Sequence, residues 1–101
     1  MINLFQKTWG EINTDIAKRM AQLRKRKKIS QKELAERSGV SLGSLKRFEQ
    51  TGEISLQSLT KLALALGVEG ELDNLFTDVP FESIEEVLNA QNKSIRGRRN
   101  Y

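Results

Sequence analysis

Residues 31 to 50, QKELAERSGVSLGSLKRFEQ, hold two helical patterns parted only by Ser38-Gly39-Val40-Ser41. A helix that stops and restarts within so short a stretch must change direction sharply, and two helices joined by a short glycine-containing turn cross at a steep angle. Ser30-Gln31-Lys32-Glu33 reads as a capping box, with Ser30 accepting from the Glu33 amide while Glu33 reaches back. A helix therefore begins at Gln31, with Leu34 and Ala35 inward, and Gly39 ends it, because glycine enters the left-handed region without a Cβ penalty. Ser41 caps the next helix, whose inward residues are Leu45 and Phe48. Ala35 belongs at the closest approach of the pair, where a larger side chain would wedge the helices apart, and Val40 closes the inner face against Leu34. An ordinary α-hairpin in a small bundle carries the same turn, so this pattern sets a geometry before it sets a function.

Helical spacing continues on both sides. Ile12, Ile16, Met20 and Leu23 mark one face of a helix from about Thr14 to Lys28, whose other face carries RKRKK, residues 24 to 28. After the turn Gln50-Thr51-Gly52-Glu53, Ser55 caps a fourth helix with Leu56, Leu59, Leu62, Ala63 and Leu66 at core spacing, and Gly67 stops it. A shorter fifth helix uses Leu72, Leu75 and Phe76. Pro80 separates it from FESIEEVLNA, an acidic helix with Ile84, Val87 and Leu88 as its apolar stripe. No strand-like alternation and no repeat interrupts this reading. The expected organisation is all-α: an N-terminal arm over 1–11, a five-helix domain over 12–78, an acidic helix over 79–92 and a disordered basic tail over 93–101. Within the arm, Ile2, Phe5 and Trp9 lie at helical spacing, as in a helical arm that packs on this subunit or on another, and packing on the domain is the expectation.

With no cysteine and no histidine, disulfides and the commonest zinc ligands are excluded together, and no metal site or cofactor is expected. No segment approaches the ~18 apolar residues of a membrane span, and the first residues lack the apolar run of a signal peptide, so a soluble cytoplasmic protein is expected. The net charge of +4 is unevenly spread: +6 over residues 1–28, +1 over 29–52, −7 over 53–92 and +4 over 93–101. Such a chain presents one cationic end to a polyanion and turns an anionic body elsewhere. Carboxylates scattered on solvent faces, without a nucleophile, a base or a phosphate loop, do not assemble an active site, so no enzyme is expected.

From Ser30 onward, SQKELAERSGVSLGSLKRFEQTGEISLQSLTKLALALGV resembles the DNA-binding domains of the lambda C1/Cro and Xre type, over roughly Ile12 to Val68. The alanine, the glycine, the apolar positions and the glutamate closing the second helix of the motif all fall in register. The resemblance implies a compact, five-helix lambda-repressor-like domain that binds double-stranded operator DNA as a two-fold homodimer. It implies that Leu42, Gly43, Ser44 and Arg47 face the bases. A recognition helix enters the major groove by its N-terminal end, where small residues let the backbone approach. Arg47 can bond guanine O6 and N7 together, and Leu42 can pack on a thymine methyl; Arg47 can equally reach a phosphate. Gly43 departs from the polar residue common in the family, which shifts weight toward readout of DNA shape.

Matching positions place Gln31 on a phosphate, with Lys32, Ser41, Lys46, Gln50 and Thr51 as companions and some of Lys25 to Lys28 beside them. Any one of these long side chains can equally be solvated surface. Arg24 and Glu49 match a family pair in which the arginine of the first helix bridges to the glutamate of the recognition helix and fixes its tilt.

Sequence outside the motif bears on partners. A small Xre protein with a short added C-terminus also resembles, more distantly, HipB-like antitoxins, which bind operator as dimers and hold a kinase-like toxin in the same complex. Ile84, Val87 and Leu88 could instead dock on the domain or form a dimer seam. Arg96, Arg98 and Arg99 could follow the phosphate backbone, enter a minor groove or contact an acidic partner, and are expected to stay solvated or touch DNA nonspecifically. RNA binding by stacking needs exposed aromatics, and the chain has six in all.

Overall fold

The computed structural model describes residues 6–78, and every element among them is helical: α1 (Trp9–Arg26), α2 (Gln31–Ser38), α3 (Leu42–Thr51), α4 (Leu56–Leu66) and α5 (Glu69–Asp73). The expected acidic helix over 79–92 and tail over 93–101 lie outside the described residues, as do Ile2 and Phe5.

Caps set most of the boundaries. Ser30, Ser41 and Ser55 each accept from the amide three residues on, at 3.0, 3.1 and 3.0 Å, and so start α2, α3 and α4 where the sequence places them. Gly39, Gly52 and Gly67 follow the last residues of those helices with φ of 78°, 79° and 74°. Two cap readings change. At the start of α2 only half of the expected box forms, because the Glu33 carboxylate turns outward to pair with Arg37 one helical turn on. The complete capping box belongs to α1: Thr8 Oγ1 accepts from the Glu11 amide, and Glu11 accepts from the Thr8 amide. This starts α1 at Trp9, well before Thr14, where apolar periodicity alone starts it. At the other end α1 stops at Arg26, and Ile29 N–H bonds back to the Arg24 carbonyl at 3.2 Å while Lys28 adopts φ 57°.

The core is a single cluster built on Phe48, Leu34, Leu45, Leu62 and Leu66, closed by Ala17, Met20, Ile29, Ala35, Val40 and Ala63. Burying each of the large residues is worth about 1.5–3 kcal/mol. α3 packs on α1 and α2, α4 on α2, and α5 on α4. The steep turn thus seats Leu45 and Phe48 inward while the opposite face of α3 stays outside.

Several apolar residues expected in the core lie outside it: Ile12, Leu75, Leu56 at 70% exposed and Phe76 at 86%. Trp9, expected to pack on the domain, is 79% exposed. Periodicity identifies a face but not how far the opposing element extends along it. Phe76 is further displaced by its backbone, which takes φ 63° just after α5.

Candidate nucleic-acid interface

On α3, Leu45 and Phe48 face the core, so Gly43, Lys46, Arg47 and Gln50, recurring at three and four, form one outward stripe, and all are exposed. At its head Leu42 is half-buried and rests against the core, leaving part of its side chain outside. A Cβ added at Gly43 would meet no atom of another element among the described residues within 4 Å, so the bare backbone there answers to no packing among them. The Ser44 amide donates to Ser41 Oγ, and the two hydroxyls are 2.8 Å apart, so both are engaged in the cap. Thr51 Oγ1 donates to the Arg47 carbonyl at 2.7 Å and accepts from the Glu53 amide at 3.2 Å, which spends that hydroxyl on the end of the helix.

The tilt of α3 is tied to α1 by charge. Arg24 donates from Nε to Glu49 Oε2 at 2.8 Å and from Nη2 to Oε1 at 3.0 Å, while its Nη1 donates to the Ile29 carbonyl at 2.9 Å. Both side chains are about nine-tenths buried. Gln31 Nε2 donates to the same Glu49 Oε1 at 3.0 Å, so the residue matched to a phosphate position also fastens the start of α2 to the end of α3. No buried side-chain nitrogen or oxygen among the described residues lacks a partner. A planar guanidinium forked onto a carboxylate fixes orientation as well as distance, which a lysine would not.

The structure therefore sorts the site residues. Arg24, Gln31 and Glu49 come together beneath the motif as a positioning cluster. Gly43, Lys46, Arg47 and Gln50 share the open face, with Leu42 and Ser44 beside them. Lys32 and Lys25 to Lys28 are exposed on α2 and at the end of α1, and neither Lys32 nor Lys46 is ion-paired among the described residues.

Two features lie beyond what periodicity conveys. Arg47 donates from Nε (3.0 Å) and Nη2 to one oxygen of Glu53, so the guanidinium on the open stripe is held by a carboxylate six residues on. Glu53 reads as part of a turn, and only its position just past a helix end that carries an arginine hints at the pairing. Gly52 is buried, and an added Cβ would lie 2.7 Å from the Asn13 backbone carbon, so α1 and α3 approach there through a glycine. Its sequence signal shows a helix stop, not the contact.

The steep turn, the tethered second helix and the exposed stripe define a helix-turn-helix module. The helix-turn-helix family model matches residues 20–72, just over half of the chain, and the chain belongs to that family, of the Cro/C1 (Xre) type. Sequence-specific DNA binding and transcription regulation come with that membership, in a family whose members are generally not enzymes. Comparison with curated proteins gave no match, nor did comparison with solved structures. Among the described residues no helix is long and apolar enough to cross a membrane, and no cluster of acidic or metal-ligating side chains is grouped to hold a metal ion.

Proposed function

We propose that this chain represses transcription by binding an inverted-repeat operator as a homodimer, with α3 of each protomer in a major groove. One observation carries the reading: the stripe Gly43, Lys46, Arg47 and Gln50 is open while the opposite face of the same helix is buried through Leu45 and Phe48 and its flank is tied to Arg24 and Gln31 through Glu49. A rigid helix with a spare, cationic outer face suits a groove whose walls are phosphate and whose floor is base edges. In this arrangement Leu42, Gly43, Ser44 and Arg47 meet bases. Gln31, Lys32, Ser41, Lys46, Gln50 and Thr51 meet the backbone, with Ser41 and Thr51 limited to what their capping bonds leave free. Two such helices related by a two-fold axis would read half-sites about 34–36 Å apart. The more distant resemblance to HipB-like antitoxins rests on the size and arrangement of the chain, including sequence after Pro80 outside the described residues, and repression of an operator holds with or without a toxin partner.

Selection of bound fragments from random duplex DNA, followed by titration of variants, tests the reading. The selected site is expected to be an inverted repeat. Arg47→Ala is expected to weaken the selected site by the ~1–3 kcal/mol of a bidentate base contact while leaving random duplex less affected. Lys46→Ala is expected to weaken both alike. An equal loss on both duplexes for Arg47→Ala would remove it from base readout, and failure to enrich any sequence would overturn the operator reading.

A further inference from the structure

On the side away from the DNA-facing helices, α1 faces α4 and α5 across an open groove of about 510 Å³. Ile16, Met20 and Leu23 form one wall, and Leu56, Leu59 and Leu75 belong to the other. None of its lining residues comes from α2 or α3. The rim carries Arg19 and Arg26 against Glu71, so it is net cationic. Leu56 and Leu75 are both more than half exposed, which leaves a continuous apolar trough uncovered among the described residues.

Sequence just beyond the described residues has the complementary chemistry. At helical spacing Phe81, Ile84, Val87 and Leu88 share one stripe, and Glu82, Glu85 and Glu86 fall outside it. Only five residues lie between Leu75, which lines the groove, and Phe81, a span of at most ~22 Å. So short a tether holds the segment near the groove at millimolar effective concentration, and modest apolar burial suffices to seat it. We propose that residues 81–88 dock as an amphipathic helix in the α1/α4/α5 groove of their own chain, the apolar stripe against Leu56, Leu59 and Leu75 and the carboxylates beside Arg19 and Arg26. Docking there leaves α3 free and neutralises Arg19 and Arg26 on the face that does not meet DNA, which concentrates the positive field on Lys25, Lys27, Lys28, Lys32 and Lys46.

The chain has no cysteine, so Ser83→Cys in the full-length protein provides a single thiol for a nitroxide spin label. In one sample the isotope-labelled, spin-labelled chain is diluted into excess unmodified protein, so that only intramolecular proximity is read. In the second, isotope-labelled chain without the label is mixed with spin-labelled chain, so that only contact between copies is read. Amides of Gln22, Leu59 and Leu72 are expected to lose most of their intensity in the first sample and none in the second. Ile84→Asp with Leu88→Asp, which replaces no residue of the core cluster, is expected to restore the signals. Broadening in the second sample would assign the groove to a second copy, and no broadening in either would leave it to a separate partner or to solvent. Broadening that survives the Ile84/Leu88 substitutions would reflect the tether alone. Each of these three results overturns the proposal.

Discussion

Arg47 and Glu53 show how one residue outside the recognition helix can set what that helix does. An exposed pair of this kind contributes only ~0–1 kcal/mol to folding, so its consequence lies in binding. Under the proposed docking, DNA must take the guanidinium from the carboxylate, and guanine O6 and N7 accept it only in one fixed geometry whereas a phosphate accepts it in many. The same docking would set the negative charge of Glu53 at the edge of the duplex. Glu53→Gln is therefore expected to leave the melting temperature nearly unchanged, raise affinity for random duplex several-fold and shrink the ratio between operator and random DNA. Titration against both duplexes at one salt concentration measures this, and an unchanged ratio would show that the pair plays no part in selectivity. Gly43 gives the opposite separation. Nothing in the chain opposes a Cβ there, and glycine in a helix is about 0.5–1 kcal/mol worse than alanine. Gly43→Ala is thus expected to leave stability equal or raise it by up to ~0.5 kcal/mol in denaturant unfolding while weakening operator binding. A gain in both would mean that no DNA backbone or base approaches that position.

At the scale of elements, α1 and α3 are held together at two points of different chemistry. Gly52 combines a left-handed backbone, which costs an L-residue about 1–2 kcal/mol, with an added Cβ 2.7 Å from Asn13 backbone. Gly52→Ala is expected to destabilise by about 2–4 kcal/mol in urea unfolding, far more than Gly67→Ala, where the same φ meets open space. The other point is the Arg24–Glu49 fork, where removing one partner strands a buried charge. Glu49→Ala is expected to cost about 3–5 kcal/mol, whereas Arg24→Met with Glu49→Leu should recover most of it and still bind operator poorly, because the fork that fixes the tilt of α3 is gone. Recovery of both stability and binding would show that packing alone orients the helix. These contacts also mark where the sequence stops being readable. Leu34, Ala35, Leu45, Phe48 and the caps at Ser41 and Gly39 follow from period and local hydrogen bonding, which act over a few residues. Arg24 and Glu49 stand 25 residues apart, and their pairing came from the family resemblance rather than from any spacing. The Gly52–Asn13 approach and the Glu53 carboxylate depend on how whole helices lie, which a linear pattern does not encode. Exposed Leu56 and Phe76 show the same limit from the other side.

For the molecule as a whole, the open cations decide how binding responds to salt. Arg24 is spent on Glu49 and Arg47 is shared with Glu53, so under the proposed docking the field available to phosphates comes, among the described residues, mainly from Lys25, Lys27, Lys28, Lys32 and Lys46. Each phosphate neutralised releases condensed counterions and steepens the fall of log K with log salt by about 0.9. A lysine contacting one phosphate in each of two protomers then accounts for about 1.8 of the slope on a two-site operator, but only about 0.9 if a single protomer is bound. Lys46→Ala is accordingly expected to flatten the operator slope by about 1.8 without altering the fold, since its side chain is exposed and unpaired among the described residues. Measuring affinity across a range of salt concentrations on the intact inverted repeat and on an isolated half-site separates the possibilities. A change near 0.9 on both duplexes would argue for one protomer per site, and no change on either would remove Lys46 from the phosphate contacts. The steeper loss on the full repeat is the result required of a dimer with α3 of each protomer in a groove.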